Sequence, residues 1–136
     1  MADSHVVLRW TGEGDRFEGE APGGPSITVD SDGKAGPSPM TGLLLSLAAC
    51  MGIDIRMILE KGRVPLDGLE VEIEADRAAE PPRRFTRLHL TIRVRGPAEE
   101  HEARIARAVD LSREKYCSVF HSLRTDLDVE IAIERS

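Results

Sequence analysis

Ser38-Pro39-Met40-Thr41-Gly42-Leu43-Leu44-Leu45-Ser46-Leu47-Ala48-Ala49-Cys50-Met51-Gly52-Ile53-Asp54 is the stretch on which the fold turns. Ser38-Pro39 is a helix-start signal: a capping hydroxyl, then a proline at the first helical position, where no backbone donor is missed. The apolar residues that follow surround the axis with hardly a polar face, and a helix apolar on all sides belongs inside a protein. The reading is therefore a helix from Pro39 to about Lys61, ended at Gly62, with Met40–Ile53 as the spine of the core and Cys50 deep along it.

Outward from that helix, the N-terminal third reads as three short strands, Val6–Trp10, Arg16–Glu20 and Ser26–Asp30, divided by the Thr11–Asp15 turn and by Gly23–Gly24 and closed by Asp32-Gly33. Beyond Gly62, Leu69, Val71, Ile73 and Ala75 alternate with Glu70, Glu72, Glu74 and Asp76. After the loop Glu80–Arg84 with its paired prolines, Leu88, Leu90, Ile92 and Val94 alternate with Arg87, His89, Arg93 and Arg95. An acidic outer row beside a basic one favours an antiparallel hairpin. Gly96-Pro97 opens a helix with His101, Ile105, Ala108, Val109 and Ser112 at helical spacing. A further helical segment runs from about Cys117 to about Arg124, and Leu127, Val129, Ile131 and Ile133 make a closing strand. The order is β-β-β-α-β-β-α-α-β, an α+β fold in a single domain over residues 1–136.

Composition narrows the function. Net charge is −6, with both signs scattered, so no basic patch offers itself to nucleic acid. Met1–His5 is polar and carries no secretory pattern. The uncharged stretch Met40–Ile53 is too short for a membrane span. A cytoplasmic location is expected, where thiols stay reduced, so the two cysteines are either packing groups or chemistry. Cys50 taken alone reads first as a core residue. Cys117, near a helix start and just after Arg113 and Lys115, has surroundings that favour a thiolate. Asp54 lies one turn after Cys50 on the same helix face, as a helix-exit charge or a site support. His121 joined with Cys50 and Asp54 invites a zinc reading, but no paired Cys or His motif of zinc type is present, and no metal is expected. Arg16, beside a turn, reads as a surface residue. Pattern alone ends there, with a fold class and two thiols but no reaction.

The run Gly36–Asp54 resembles the central helix of the OsmC/Ohr family (osmotically inducible protein C and organic hydroperoxide resistance protein). Leu111-Ser112-Arg113-Glu114-Lys115-Tyr116-Cys117-Ser118-Val119 resembles its second cysteine segment, and Trp10-Thr11-Gly12, Arg16-Phe17 and Gly19 its opening hairpin. The likeness covers nearly the whole chain and is nearer the OsmC-like proteins than Ohr itself. It implies an intertwined homodimer and thiol-dependent reduction of organic hydroperoxides, with Cys50 as the attacking thiolate and Cys117 as the resolving thiol that pairs with it in a reversible disulfide. The resemblance further implies a dithiol reductant, lipoyl dithiols among them, and no cofactor. Met40 stands where peroxide-reducing members carry a glutamate that holds an arginine over the reactive cysteine. Arg16 stands roughly where that arginine comes, and Asp54 is a substitute anchor for it. Two other classes remain beside the peroxidase: a non-enzymatic redox sensor or sulfur-binding protein, and an interaction protein whose cysteines only pack.

Overall fold

The computed structural model describes residues 2–136; Met1, the first residue of the polar N-terminal stretch, lies outside them. The element order is β1 (Val7–Trp10), β2 (Arg16–Glu20), β3 (Ile27–Asp30), α1 (Pro39–Lys61), β4 (Gly68–Arg77), β5 (Phe85–Arg95), α2 (Glu102–Leu111), α3 (Ser118–His121) and β6 (Asp128–Arg135). This is the α+β order expected from the sequence. A short 3₁₀ turn, Glu99–His101, precedes α2, and a π-helical turn, Ser112–Tyr116, separates α2 from α3. Contacts divide the chain into two compact units, Met1–Leu45 and Ser46–Ser136, and α1 starts in the first and continues through the second.

In the first unit β1, β2 and β3 form an antiparallel meander, with Trp10 opposite Phe17 and Arg16 opposite Asp30. Val6, Leu8, Trp10 and Ile27 remain 55–76% exposed. The Ser38 hydroxyl accepts the Thr41 N–H at 3.3 Å and its carbonyl accepts the Gly42 N–H, so the cap read from Ser38-Pro39 is in place.

In the second unit β5 is central, antiparallel to β4 and parallel to β6. One face of β5 (Leu88, Leu90, Ile92, Val94) is buried, and Ile92 and Val94 join Ile55, Leu59, Val64, Ile105, Ala108 and Val109 in one core cluster. The other face carries the charge ladder foreseen for the hairpin. Arg93 reaches Glu70 at 2.6 Å, Glu72 at 2.8 Å and, across the parallel pair, Glu134 at 3.0 Å. Arg87 reaches Glu130 at 3.1 Å. These pairs are half exposed, so they fix register more than they add stability.

The burial of α1 departs from expectation. Leu47, Met51, Ile55 and Leu59, four residues apart, make a fully buried row on the second unit's core. The opposite row is open: Leu45 is 56%, Ile53 58% and Met57 48% exposed. One three-stranded sheet covers one stripe of a helix, so the row through Leu45, Ile53 and Met57 stays exposed while its flanks are partly buried. The helix spans 23 residues with a mean hydropathy of 1.8 over its most apolar window, so by length and composition alone it is long and apolar enough to cross a membrane, where the uncharged stretch Met40–Ile53 reads as too short. Its buried row on a sheet is what a core helix shows.

The end of α1 also differs in detail. The Val64 N–H reaches the Leu59 carbonyl and the Arg63 N–H the Glu60 carbonyl, the paired bonds of a Schellman motif. The left-handed residue is Arg63, at φ 57°, rather than Gly62. A side chain in that region costs about 1–2 kcal/mol. Arg63→Gly is therefore expected to stabilise the fold by roughly 1 kcal/mol in urea unfolding, less the added chain entropy of glycine. An unchanged or lowered midpoint would show that the Arg63 side chain contributes more than its backbone costs.

Candidate functional site: a dithiol beside a carboxylate

Cys50 and Asp54 are one turn apart on α1, on the flank between its buried and exposed rows. Both are half-buried as a result, so Cys50 is not deep in the core as the apolar run implied. Cys117 is the fully buried cysteine. It reaches the same place through the π-helical turn, in which the Cys117 N–H bonds the Ser112 carbonyl five residues back at 2.8 Å. That extra residue per turn swings the chain inward, and such turns recur at functional sites. The Cys50 and Cys117 sulfurs and a carboxylate oxygen of Asp54 all lie within 4.8 Å of one another. Both cysteines are free thiols.

Ser112 is the residue that pattern reading missed as part of this site. Its hydroxyl donates to Asp54 Oδ2 at 2.9 Å, and it is wholly buried. The available signal was a hydroxyl on the apolar stripe Ile105–Ala108–Val109–Ser112, since a buried hydroxyl needs a partner. Asp54 therefore has a neutral donor as its partner, and within Ser46–Ser136 no arginine pairs with it.

The surroundings of Cys117 reverse the thiolate expectation. Burial pushes its thiol up, the Phe120 N–H donated to Sγ at 3.3 Å pulls it down, and the Cys50 sulfur and the Asp54 charge push it up again. The net value is about 11, against an ordinary 9.0. Arg113 and Lys115 do not help. Arg113 donates to the Val129 carbonyl at 3.1 Å and lies over the Phe120 ring, while Lys115 lies over the Tyr116 ring. Cys117 is thus held toward its protonated form, chiefly by burial. His121 is exposed, packs edge-on against Phe120 and is not in the cluster, which removes the histidine from the zinc reading.

A raised thiol value means that the folded state holds a proton the unfolded chain releases. Stability from this group is intact below about pH 9 and is lost as pH rises toward 11, on the order of 2 kcal/mol in all. Urea midpoints measured from pH 8 to 11 are expected to fall, and Cys117→Ala to flatten the slope. An equal slope in that variant would place the titration elsewhere.

Arg16 belongs to the first unit, where its guanidinium lies 3.7 Å from Asp30 and 3.5 Å from Glu13. Asp30 is buried. Desolvation works against its charge, but the Ala35 N–H, the Asp32 N–H and the Arg16 cation outweigh it and hold the carboxyl below the usual range. The carboxylate beside Arg16 is therefore Asp30, on the strand opposite it.

Comparison with known proteins agrees with this architecture. Residues 31–132 match the family model described as OsmC-like protein. The protein YhfA of Escherichia coli K12 is 39% identical over 128 residues, 93% of this chain and 94% of that one. A solved structure of a hypothetical protein from Aquifex aeolicus VF5 superposes with a TM-score of 0.88 at 28% identity, covering 100% of this chain and 98% of that one. The organic hydroperoxide resistance protein OhrB of Bacillus subtilis shares the fold alone, at 16% identity and a TM-score of 0.60, over 99% and 98% of the two chains. The chain belongs to the OsmC-like family, the class that its α+β order and helix-borne cysteine segment define.

Proposed function

We propose that this protein reduces organic hydroperoxides with its own thiols, Cys50 attacking and Cys117 resolving. The observation that carries the reading is the approach of the sulfur of the half-buried Cys50 to that of the fully buried Cys117, within 4.8 Å. The less buried cysteine is the one placed to meet substrate, and the fully buried one is shielded from it. As thiolate, Cys50 attacks the outer O–O oxygen; the S–O bond forms, the O–O bond breaks, and the alkoxide leaves and takes a proton as alcohol. The resulting sulfenic acid condenses with Cys117, giving a disulfide and water. A dithiol, lipoyl ones included, then exchanges with the disulfide, is oxidised itself and restores both thiols. Asp54 is a supporting residue in this reading through the sulfurs it adjoins. The reducing cytoplasm is the compartment that keeps such a dithiol ready.

The exposed apolar surface on α1 and on the β1–β3 sheet supports a second part of the proposal, that two copies interlock as a homodimer.

The second functional reading is a redox sensor or sulfur-binding protein with slow turnover. Met40 in the glutamate's place and an Asp54 paired with a neutral hydroxyl favour it, because neither supplies ordered positive charge to a thiolate. Turnover with cumene hydroperoxide and a dithiol separates the two. Catalytic consumption supports the enzyme, whereas oxidation that stops at one equivalent supports the sensor.

A further inference from the structure

The arrangement around Asp54 is poorly matched to thiol chemistry alone. Two sulfurs and a carboxylate converge within 4.8 Å, and inside Ser46–Ser136 the partner on Asp54 is the Ser112 hydroxyl rather than a cation. The same three donors make a compact set for a thiophilic cation, which neutral packing does not require.

We propose that the reduced site binds one Zn²⁺-class cation through Cys50 Sγ, Cys117 Sγ and one carboxylate oxygen of Asp54, with a fourth position open to solvent or substrate. Bond lengths of about 2.3 Å to sulfur and about 2.0–2.2 Å to oxygen place tetrahedral ligands about 3.5–3.8 Å apart. The observed spread of up to 4.8 Å closes to that with small side-chain rotations. Cys50 and Asp54 sit at i and i+4 on a rigid helix, which fixes two donors on one face. The Ser112 bond to Oδ2 orients the carboxylate, as partners of metal ligands do, and leaves its other oxygen for the ion. Sulfur donors select zinc and its thiophilic neighbours over magnesium or calcium. The half-buried Cys50, the less buried of the two thiols, lies on the entry side. Since a disulfide removes both sulfur ligands, cation binding and the oxidised state exclude each other. The proposal rests on the reduced dithiol and not on the hydroperoxide chemistry.

The test is an anaerobic titration of the reduced full chain with Co²⁺ as the spectroscopic probe, followed by Zn²⁺ competition against a chromophoric chelator. One equivalent per chain is expected to give a sulfur-to-cobalt charge-transfer band and tetrahedral ligand-field absorption. The band should be absent from disulfide-oxidised protein and from Cys117→Ser, and affinity should fall at least about 10-fold in Asp54→Asn. Ser112→Ala keeps all three donors and is expected to lower affinity by a smaller factor, which guards against a variant that merely misfolds. No band at one equivalent, a band that survives oxidation, or unchanged affinity in Asp54→Asn overturns the site. Hydroperoxide reduction assayed in chelator reads the other chemistry separately. A silent titration with an active enzyme overturns the metal site alone, and a one-equivalent band in an inactive protein supports it alone.

Discussion

Cys50→Ser is expected to lower kcat/KM for an organic hydroperoxide by at least roughly 10³-fold, because it removes the atom that bonds to oxygen and no nearby group replaces it. Cys117→Ser should behave differently. Its buried sulfur enters only after the first bond has broken, so this variant should complete one turnover and stop with a trappable sulfenic acid on Cys50. Stopped-flow reaction with cumene hydroperoxide, with dimedone trapping and intact mass, distinguishes the two. Equal rates for wild type and Cys50→Ser would end the peroxidase reading. A sulfenic acid found on Cys117 in wild type would invert the assignment, against the burial that holds its thiol at about 11.

Sedimentation equilibrium should find a dimer at micromolar concentration and a Tm that rises with protein concentration, since association stabilises only the folded chain. The physical basis is the exposed row of α1, with Leu45 at 56% and Ile53 at 58%, together with Trp10 at 60% and Ile27 at 65% on the first sheet. Leaving this much large apolar surface in water forfeits about 25 cal/mol per Å². Leu45→Asp combined with Ile53→Asp should abolish the dimer, because burying two unpaired carboxylates costs several kcal/mol. Both positions lie opposite the buried row, so helix content should survive in the variant. A wild-type monomer at micromolar concentration would remove the interlocked-dimer proposal.

Element types and their order were open to reading because each depends on local periodicity. Ser38-Pro39 started α1 where expected, the Glu and Arg rows of β4 and β5 paired in register, and Ile105, Ala108 and Val109 lay on the buried face of α2. The cysteines also lay in recognisable segments, so the family was legible. Depth was not. The apolar run of α1 could not say that Leu47, Met51, Ile55 and Leu59 would be buried while Leu45 and Ile53 stayed open, since that is decided by what packs on the helix. Nor could local charge show that Arg113 and Lys115 would turn to Val129 and Tyr116, leaving Cys117 protonated. By itself, then, the sequence determined which segments form helices and strands and which residues carry sulfur. Only the tertiary structure decided that a π-helical turn carries Cys117 to Cys50 and Asp54 and gives Asp54 a serine for its partner. The reason is that periodicity records each residue's direction about its own axis, whereas a site requires distances between axes, and packing alone sets those.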